Sequence, residues 1–166
     1  LTMDLHSNQI QGFFDMPVDH LYAAPVLVNH FVERGMGNLA VVAPDIGRVK
    51  MARAYAKRLS ADLAIIDKRR PEPNVSTMYH VIGEVDNKNV LIVDDMIDTA
   101  GTIVAAASRL KEEGALDIYA SGTHPVLSGS AVERLEKSEI KEIVVTDTIP
   151  FRGNSKKIQV LSVAAL

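Results

Sequence analysis

The stretch Val90-Leu91-Ile92-Val93-Asp94-Asp95-Met96-Ile97-Asp98-Thr99-Ala100-Gly101-Thr102 decides how this chain folds. An apolar, largely β-branched run reads as a buried strand, and it leads straight into two adjacent carboxylates. A short acidic turn follows, then a small residue, a glycine and a hydroxyl at the head of a helix. Asp94 and Asp95 are suited to accept hydrogen bonds from two neighbouring ring hydroxyls of a sugar. Asp98, Thr99, Ala100, Gly101 and Thr102 can wrap backbone N–H groups and two threonine hydroxyls around a phosphate at the helix N-terminus. An acidic pair after a strand is more often a solvated turn with a helix cap. The Thr-Ala-Gly-Thr behind this pair favours the sugar-phosphate cradle.

To either side, strand and helix signals alternate. Residues 1–5, 39–43, 63–66, 79–85, 89–93, 118–123, 142–146 and 158–163 read as strands, and 18–23 as a short extended piece. Pro25 suits the first turn of a helix that Gly35 ends. Residues 49–60 place Val49, Ala52, Ala56 and Leu59 on one helical face, with Lys50, Arg53 and Lys57 opposite. Residues 102–113 form a helix with Ile103, Ala107 and Leu110 inward and Gly114 as its C-cap. Ser130 and Glu133 have the spacing of a capping box at the start of a short helix. The alternation predicts an α/β fold, a mostly parallel sheet flanked by helices on both faces, with ligands beyond the C-terminal strand ends. Segments 45–48, 68–70 and 94–102 then converge on one site.

Composition sets the outer limits. A chain of 166 residues is the size of one domain with a substantial core. A hydrophobic content of 47% and a charged content of 23% are ordinary for a globular protein. A net charge of −3 gives no reason to expect nucleic acid or an anionic membrane as partner. Without cysteine there are no disulfides and no thiolate metal sites. No apolar run approaches bilayer length, and the first residues lack the pattern of a signal peptide. The start on Leu1, in what reads as mid-strand, leads us to expect that the natural N-terminus lies upstream. The expected location is cytoplasmic.

Two further constellations carry chemistry. Lys68-Arg69-Arg70-Pro71 follows a strand; such a cation run is ordinarily a solvated loop, but at this strand end it faces the proposed site. Its loop, residues 68–76, carries prolines and no apolar periodicity. His6 follows the first strand, where a lone histidine is more often structural than a ligand. Asp45 sits in the turn after residues 39–43 and is the more usual type of ligand for a hard cation. Phe13 and Phe14 read as core or interface packing.

Residues 4–22, 44–53, 67–71, 94–102, 123–129 and 145–150 together resemble the ribose-phosphate pyrophosphokinase (phosphoribosyl-pyrophosphate synthase) family, with its type I phosphoribosyltransferase fold. The resemblance implies transfer of the pyrophosphoryl group of Mg-ATP to the C1 hydroxyl of ribose 5-phosphate. It implies catalytic roles for Lys68 and Arg70, and ribose 5-phosphate contacts from Arg70, Asp94, Asp95 and residues 98–102. It makes Asp45, Ile46, Gly47 and Arg48 the pyrophosphate loop, and His6 and Asp45 the ligands of Mg²⁺. A lysine point charge and a forked guanidinium suit a transfer that needs in-line positioning and charge neutralisation.

Two positions depart from the family pattern: Arg48 stands at the second glycine of the pyrophosphate loop and Met51 at its first arginine. Arginine lacks glycine's freedom at positive φ, so the loop is reshaped or the Arg48 side chain contacts pyrophosphate itself. Members of the family carry two similar halves. The expectation is that residues 1–20 are the tail end of an absent N-terminal half, 21–160 the C-terminal domain and 161–166 the start of a segment returning to that half. An isolated 166-residue chain is then expected to bind ribose 5-phosphate without turnover. Homo-oligomers, hexamers among them, are also implied, and effector contacts near Gln11, Asp19 and Tyr22. Two other readings are a phosphoribosyltransferase that consumes the product and a catalytically silent partner of a true synthase.

Overall fold

The structure is a computed structural model that describes residues 1–69 and 78–166. Its centre is a seven-stranded sheet built from β3 (Leu39–Ala43), β4 (Asp62–Arg69), β5 (Met78–Ile82), β6 (Asn89–Ile97), β7 (Ile118–Pro125), β8 (Ile140–Thr146) and β9 (Ile158–Leu161). Their order is β5-β4-β3-β6-β7-β8-β9, and every neighbouring pair is parallel except β4 with β5. Two preceding strands, β1 (Thr2–Met3) and β2 (His20–Leu21), pair with each other in a separate parallel sheet. The chain moves outward from β3 through β4 to β5, then crosses back to lay β6 on the other side of β3. That reversal opens a crevice beyond the C-terminal ends of β3 and β6, the place where such sheets take ligands.

β3 is apolar along its whole length, and β6 from Val90 to Val93, because helices cover both faces. Alternation sorts their residues. Ala40, Val42, Val90 and Ile92 join the core with Ile103, Ala107 and Leu110 of α3 (Gly101–Glu112) and Leu135 of α4 (Ala131–Lys137). Leu39, Val41, Leu91 and Val93 face the opposite way, onto Leu27 and Phe31 of α1 (Ala24–Arg34) and Ala52 and Tyr55 of α2 (Val49–Leu59). Each fully buried Leu, Ile or Phe stabilises the fold by about 2 kcal/mol.

Several elements differ from the sequence expectation. β6 runs on through Asp94 and Asp95 to Ile97, because β7 continues beside it as far as Pro125. β4 likewise runs through Lys68 and Arg69, whose backbones pair with Tyr79 and Met78 of β5. Charge content alone marks this run as a loop; the antiparallel partner makes it a strand. Gly83 then turns the chain away at φ +113, against the Leu63 carbonyl, where an added Cβ would stand 2.8 Å from that oxygen. The first strand is only two residues long. Ser130 makes no side-chain cap bond, since its φ of −90° and ψ of 21° are not the extended geometry of a capping residue. Phe13 is 86% exposed and Phe14 47%, so neither belongs to the core. Arg70 and residues 71–77 lie outside the described residues. Among the described residues no helix is long and apolar enough to cross a membrane.

Candidate active site

Strand periodicity sends the two adjacent carboxylates to different sides. Asp94 continues the series of Val90 and Ile92 toward α3, and Asp95 that of Leu91 and Val93 toward α2. On the first side, Asp94 and residues 96–103 line a hollow of about 240 Å³. On the second, a cleft of about 820 Å³ is lined by His6, Arg48, Tyr55, Arg58 and Asp95 among others. The acidic pair is the wall between them.

The hollow is shaped as an anion cradle. Ala100, at the N-cap of α3, takes the left-handed conformation at φ 61° and ψ 2°. A left-handed residue followed by a right-handed helical turn aims successive N–H groups at one point. Holding a non-glycine residue there costs roughly 1 kcal/mol. The strain is held by packing, since Ala100 is buried in the α3-side core, and by its carbonyl accepting the Val104 N–H at 3.1 Å. Gly101 follows in an exposed position, and an added Cβ would meet only the Thr99 hydroxyl at 3.8 Å. The protein's own atoms therefore do not demand glycine at this position.

Loop residues from the far side of the sequence brace this turn. The Ser128 hydroxyl donates to the Asp98 carboxylate, and the Ser128 N–H to the Asp98 carbonyl at 3.2 Å. Arg134 Nη1 donates to the Thr99 carbonyl at 2.9 Å. Nothing in the sequence pattern gives either residue a role. They lie 30 and 35 positions from their partners, and no local pattern signals such a contact.

On the other side, Asp45 caps the 3₁₀ turn Ile46–Arg48 by accepting the Arg48 N–H at 3.2 Å. Arg48 holds φ −93° and ψ 0°, so this loop needs no left-handed residue and the arginine is accommodated without strain. Its side chain crosses to the acidic pair: Nε is 3.0 Å from Asp94 Oδ1 and Nη1 is 3.1 Å from Asp95 Oδ2. Nη2 reaches His6 Nδ1 at 2.8 Å. That ring nitrogen is also 2.9 Å from Asp95 Oδ2, and it serves one of the two partners at a time. The Asp95 side chain is 2% exposed, and its Oδ1 is buried with no hydrogen-bond partner. Burial, with Asp95 alongside, pushes the Asp94 carboxyl well above the usual carboxylate range, against the pull of Arg48.

His6 reaches this position because its segment is tied down on both sides. Asp4, buried at φ 40°, accepts the Ala23 N–H at 3.0 Å and the Thr123 hydroxyl at 2.6 Å. The Leu5 N–H donates to His20 Nε2 at 3.1 Å.

Of the residues singled out from sequence, His6, Arg48, Asp94 and Asp95 come together, and residues 98–102 form the adjoining cradle. Lys68 is exposed near the end of β4 and lines neither hollow. A hard divalent cation needs several oxygen ligands around one point. His6 and Asp45 do not supply them: His6 is engaged by Asp95 and Arg48, and Asp45 is spent on the turn. Among the described residues no group of three or more His, Asp or Glu is arranged to hold a metal. The residues present do not fit Mg²⁺ as a resident of His6 and Asp45.

Comparison with known proteins converges on one group. The family model described as phosphoribosyl synthetase-associated domain matches residues 68–166. A ribose-phosphate pyrophosphokinase of Bordetella pertussis is 59% identical over the whole chain, which covers 54% of that relative. One from Caldanaerobacter subterraneus subsp. tengcongensis is 54% identical with the same coverage. The chain thus spans about half the length of the curated relatives it matches. Among solved structures, phosphoribosylpyrophosphate synthetase from Mycobacterium smegmatis superposes with a TM-score of 0.91 at 40% identity, over 98% of this chain and 54% of that one. A purine phosphoribosyltransferase from Pyrococcus horikoshii, 18% identical and covered to 85% on both sides, has a TM-score of 0.53 and shares the fold alone.

Proposed function

Because the chain belongs to the phosphoribosyl synthetase-associated domain family, we propose that it supplies the ribose 5-phosphate side of a cytoplasmic ribose-phosphate diphosphokinase. In that reaction the C1 hydroxyl oxygen of ribose 5-phosphate bonds to the β-phosphorus of ATP. The bridge from the α-phosphate to the β-phosphorus breaks, AMP leaves, and the hydroxyl proton is lost. One observation carries the reading: an acidic pair at a strand end adjoins a hollow whose turn holds a left-handed Ala100 and an exposed glycine that no packing requires.

The 5-phosphate sits in the cradle of residues 98–102, on the N–H groups at the head of α3. Asp94 and Asp95 accept the ring hydroxyls and orient the sugar so that C1 faces the nucleotide. Lys68, with Arg70, neutralises charge on the transferring group. Any Mg²⁺ arrives with ATP as part of the substrate, held by the nucleotide's own phosphates. The exposed Phe13 and Met16 on the N-terminal segment support assembly into homo-oligomers.

Calorimetric titration of the chain with ribose 5-phosphate tests the reading. Saturable one-site binding that ribose alone does not reproduce is expected; no binding refutes it. The position of Arg48 on the acidic pair favours a second reading, a partner that holds ribose 5-phosphate without turning it over. AMP release from ATP and ribose 5-phosphate separates catalyst from partner.

A further inference from the structure

We propose that Arg48 is a built-in cation that takes the place of a divalent metal at the acidic pair. Its guanidinium presents three N–H edges to three different groups. Nε meets Asp94 Oδ1 at 3.0 Å, Nη1 meets Asp95 Oδ2 at 3.1 Å and Nη2 meets His6 Nδ1 at 2.8 Å. Two carboxylates and an imidazole are the ligand types a small divalent cation draws on, but here they are spaced around a guanidinium, and among the described residues no such group is arranged to hold a metal. Arg48 holds the centre of that set, and the Arg48 side chain is itself only 16% exposed.

Guanidinium suits the place. It is charged at every working pH, planar, and more weakly hydrated than a metal ion or an ammonium. It is also tethered: its backbone lies at the N-cap of α2, one short side chain away, so its local concentration is on the order of millimolar or higher. A free cation must displace it, or settle beside it against like-charge repulsion.

Arg48 still leaves room for a ligand. It uses one oxygen of each carboxylate, and the remaining one on Asp95, Oδ1, is buried without a partner. Asp94, 18% exposed and lining the hollow, is the member of the pair that a sugar hydroxyl can reach. The inference therefore rests on the sugar-phosphate reading of the same pair. It adds that this chain needs no divalent ion to bind the sugar.

The test uses Mn²⁺ as the probe, with the free ion followed by electron paramagnetic resonance in the wild-type chain and in R48M, R48G and R48K. Arg48→Met keeps length and packing if Arg48→Gly disturbs the turn, and Arg48→Lys keeps the charge. Wild type and R48K are expected to leave Mn²⁺ largely free. R48M and R48G are expected to bind it about tenfold more tightly or better. Titration with ribose 5-phosphate, in chelator and then in Mn²⁺, is expected to give wild-type affinities within about twofold of each other, and a gain of about fivefold with Mn²⁺ in R48M. Equal Mn²⁺ affinity in wild type and the neutral variants overturns the proposal, as does wild-type sugar-phosphate binding that requires Mn²⁺. If no sample binds ribose 5-phosphate while the Mn²⁺ contrast persists, the sugar-phosphate reading fails and the replacement of a metal by Arg48 stands.

Discussion

Two arginines in this molecule sit against acidic residues with a histidine alongside, and they do opposite things. Arg34, the last residue of α1, pairs with Glu142 of β8 and lies 5.6 Å from the centre of the Tyr119 ring. Tyr119 and Glu142 stand opposite each other near the N-terminal ends of β7 and β8, with His30 Nε2 3.8 Å from Glu142. One cation meets one anion and an aromatic face, and the group is electrically complete. Arg48 meets two carboxylates near the C-terminal strand ends, and with both of them ionised the group is one positive charge short. The same residue types make a fastening where charges balance and a receptive site where they do not.

Substitution of one acid in each group separates the two roles. Asp95→Asn keeps the shape and removes the charge, so ribose 5-phosphate binding weakens about 100-fold, or about 2.7 kcal/mol. The melting temperature is expected to hold or rise, because Asp94 loses a like-charged neighbour in a buried place. Glu142→Ala leaves Arg34 without its ion-pair partner and costs about 2 kcal/mol of stability by denaturant titration, less than a fully buried pair would because Arg34 is partly exposed. Ribose 5-phosphate affinity should not move. If both variants lose both binding and stability, the distinction between fastening and site is wrong.

The contrast also marks what the sequence makes legible. Residues 90–102 announce a strand, an acidic pair and a turn into a helix by local pattern alone, though the structure carries the strand through the pair to Ile97 before that turn. Arg48 is visible as a departure from a glycine-rich loop, but its partners lie 42, 46 and 47 positions away at His6, Asp94 and Asp95, beyond any local signal. Alternation along β6 does predict that Asp94 and Asp95 diverge to opposite faces, a consequence that emerges only once the strand is known to continue through them. The extension of β4 through Lys68 and Arg69 is set by β5, so charge content alone misreads it. The bracing of the cradle by Ser128 and Arg134 is likewise tertiary.

Gly101 gives a narrower test on the side of the site. An added methyl meets only the Thr99 hydroxyl at 3.8 Å, and glycine at the head of a helix carries extra unfolded-state entropy. Gly101→Ala is therefore expected to stabilise the chain by about 0.5 kcal/mol. With the phosphate at the head of α3 as proposed, the same methyl stands in its path, and affinity for ribose 5-phosphate is expected to fall about tenfold. Opposite movements of melting temperature and affinity mark a glycine kept for a ligand. A drop in both readouts would instead make it a glycine kept for the fold.

The smallest effect lies in the pH dependence of stability, where the two arginine groups carry opposite signs. Burial and the Arg34 charge lower the His30 pKa from 6.5, with Glu33 opposing. Between the folded value and 6.5 the unfolded chain binds the extra proton, so this group makes stability rise with pH and lose ground as pH falls below 6.5. For Asp94, burial and the neighbouring Asp95 raise the pKa from 3.8 to about 7. Across that window the folded chain holds the extra proton, so stability falls as pH rises. Denaturant titrations from acid to neutral pH should lose the falling component in Asp94→Asn and the rising one in His30→Gln. Each substitution thereby exposes the other's slope: an acid kept close to a second acid resists ionising, and a histidine kept beside a paired arginine resists charging. If Asp94→Asn leaves the profile unchanged, the pair is already neutralised by Arg48, and the charge deficit that distinguishes the site from the fastening does not exist.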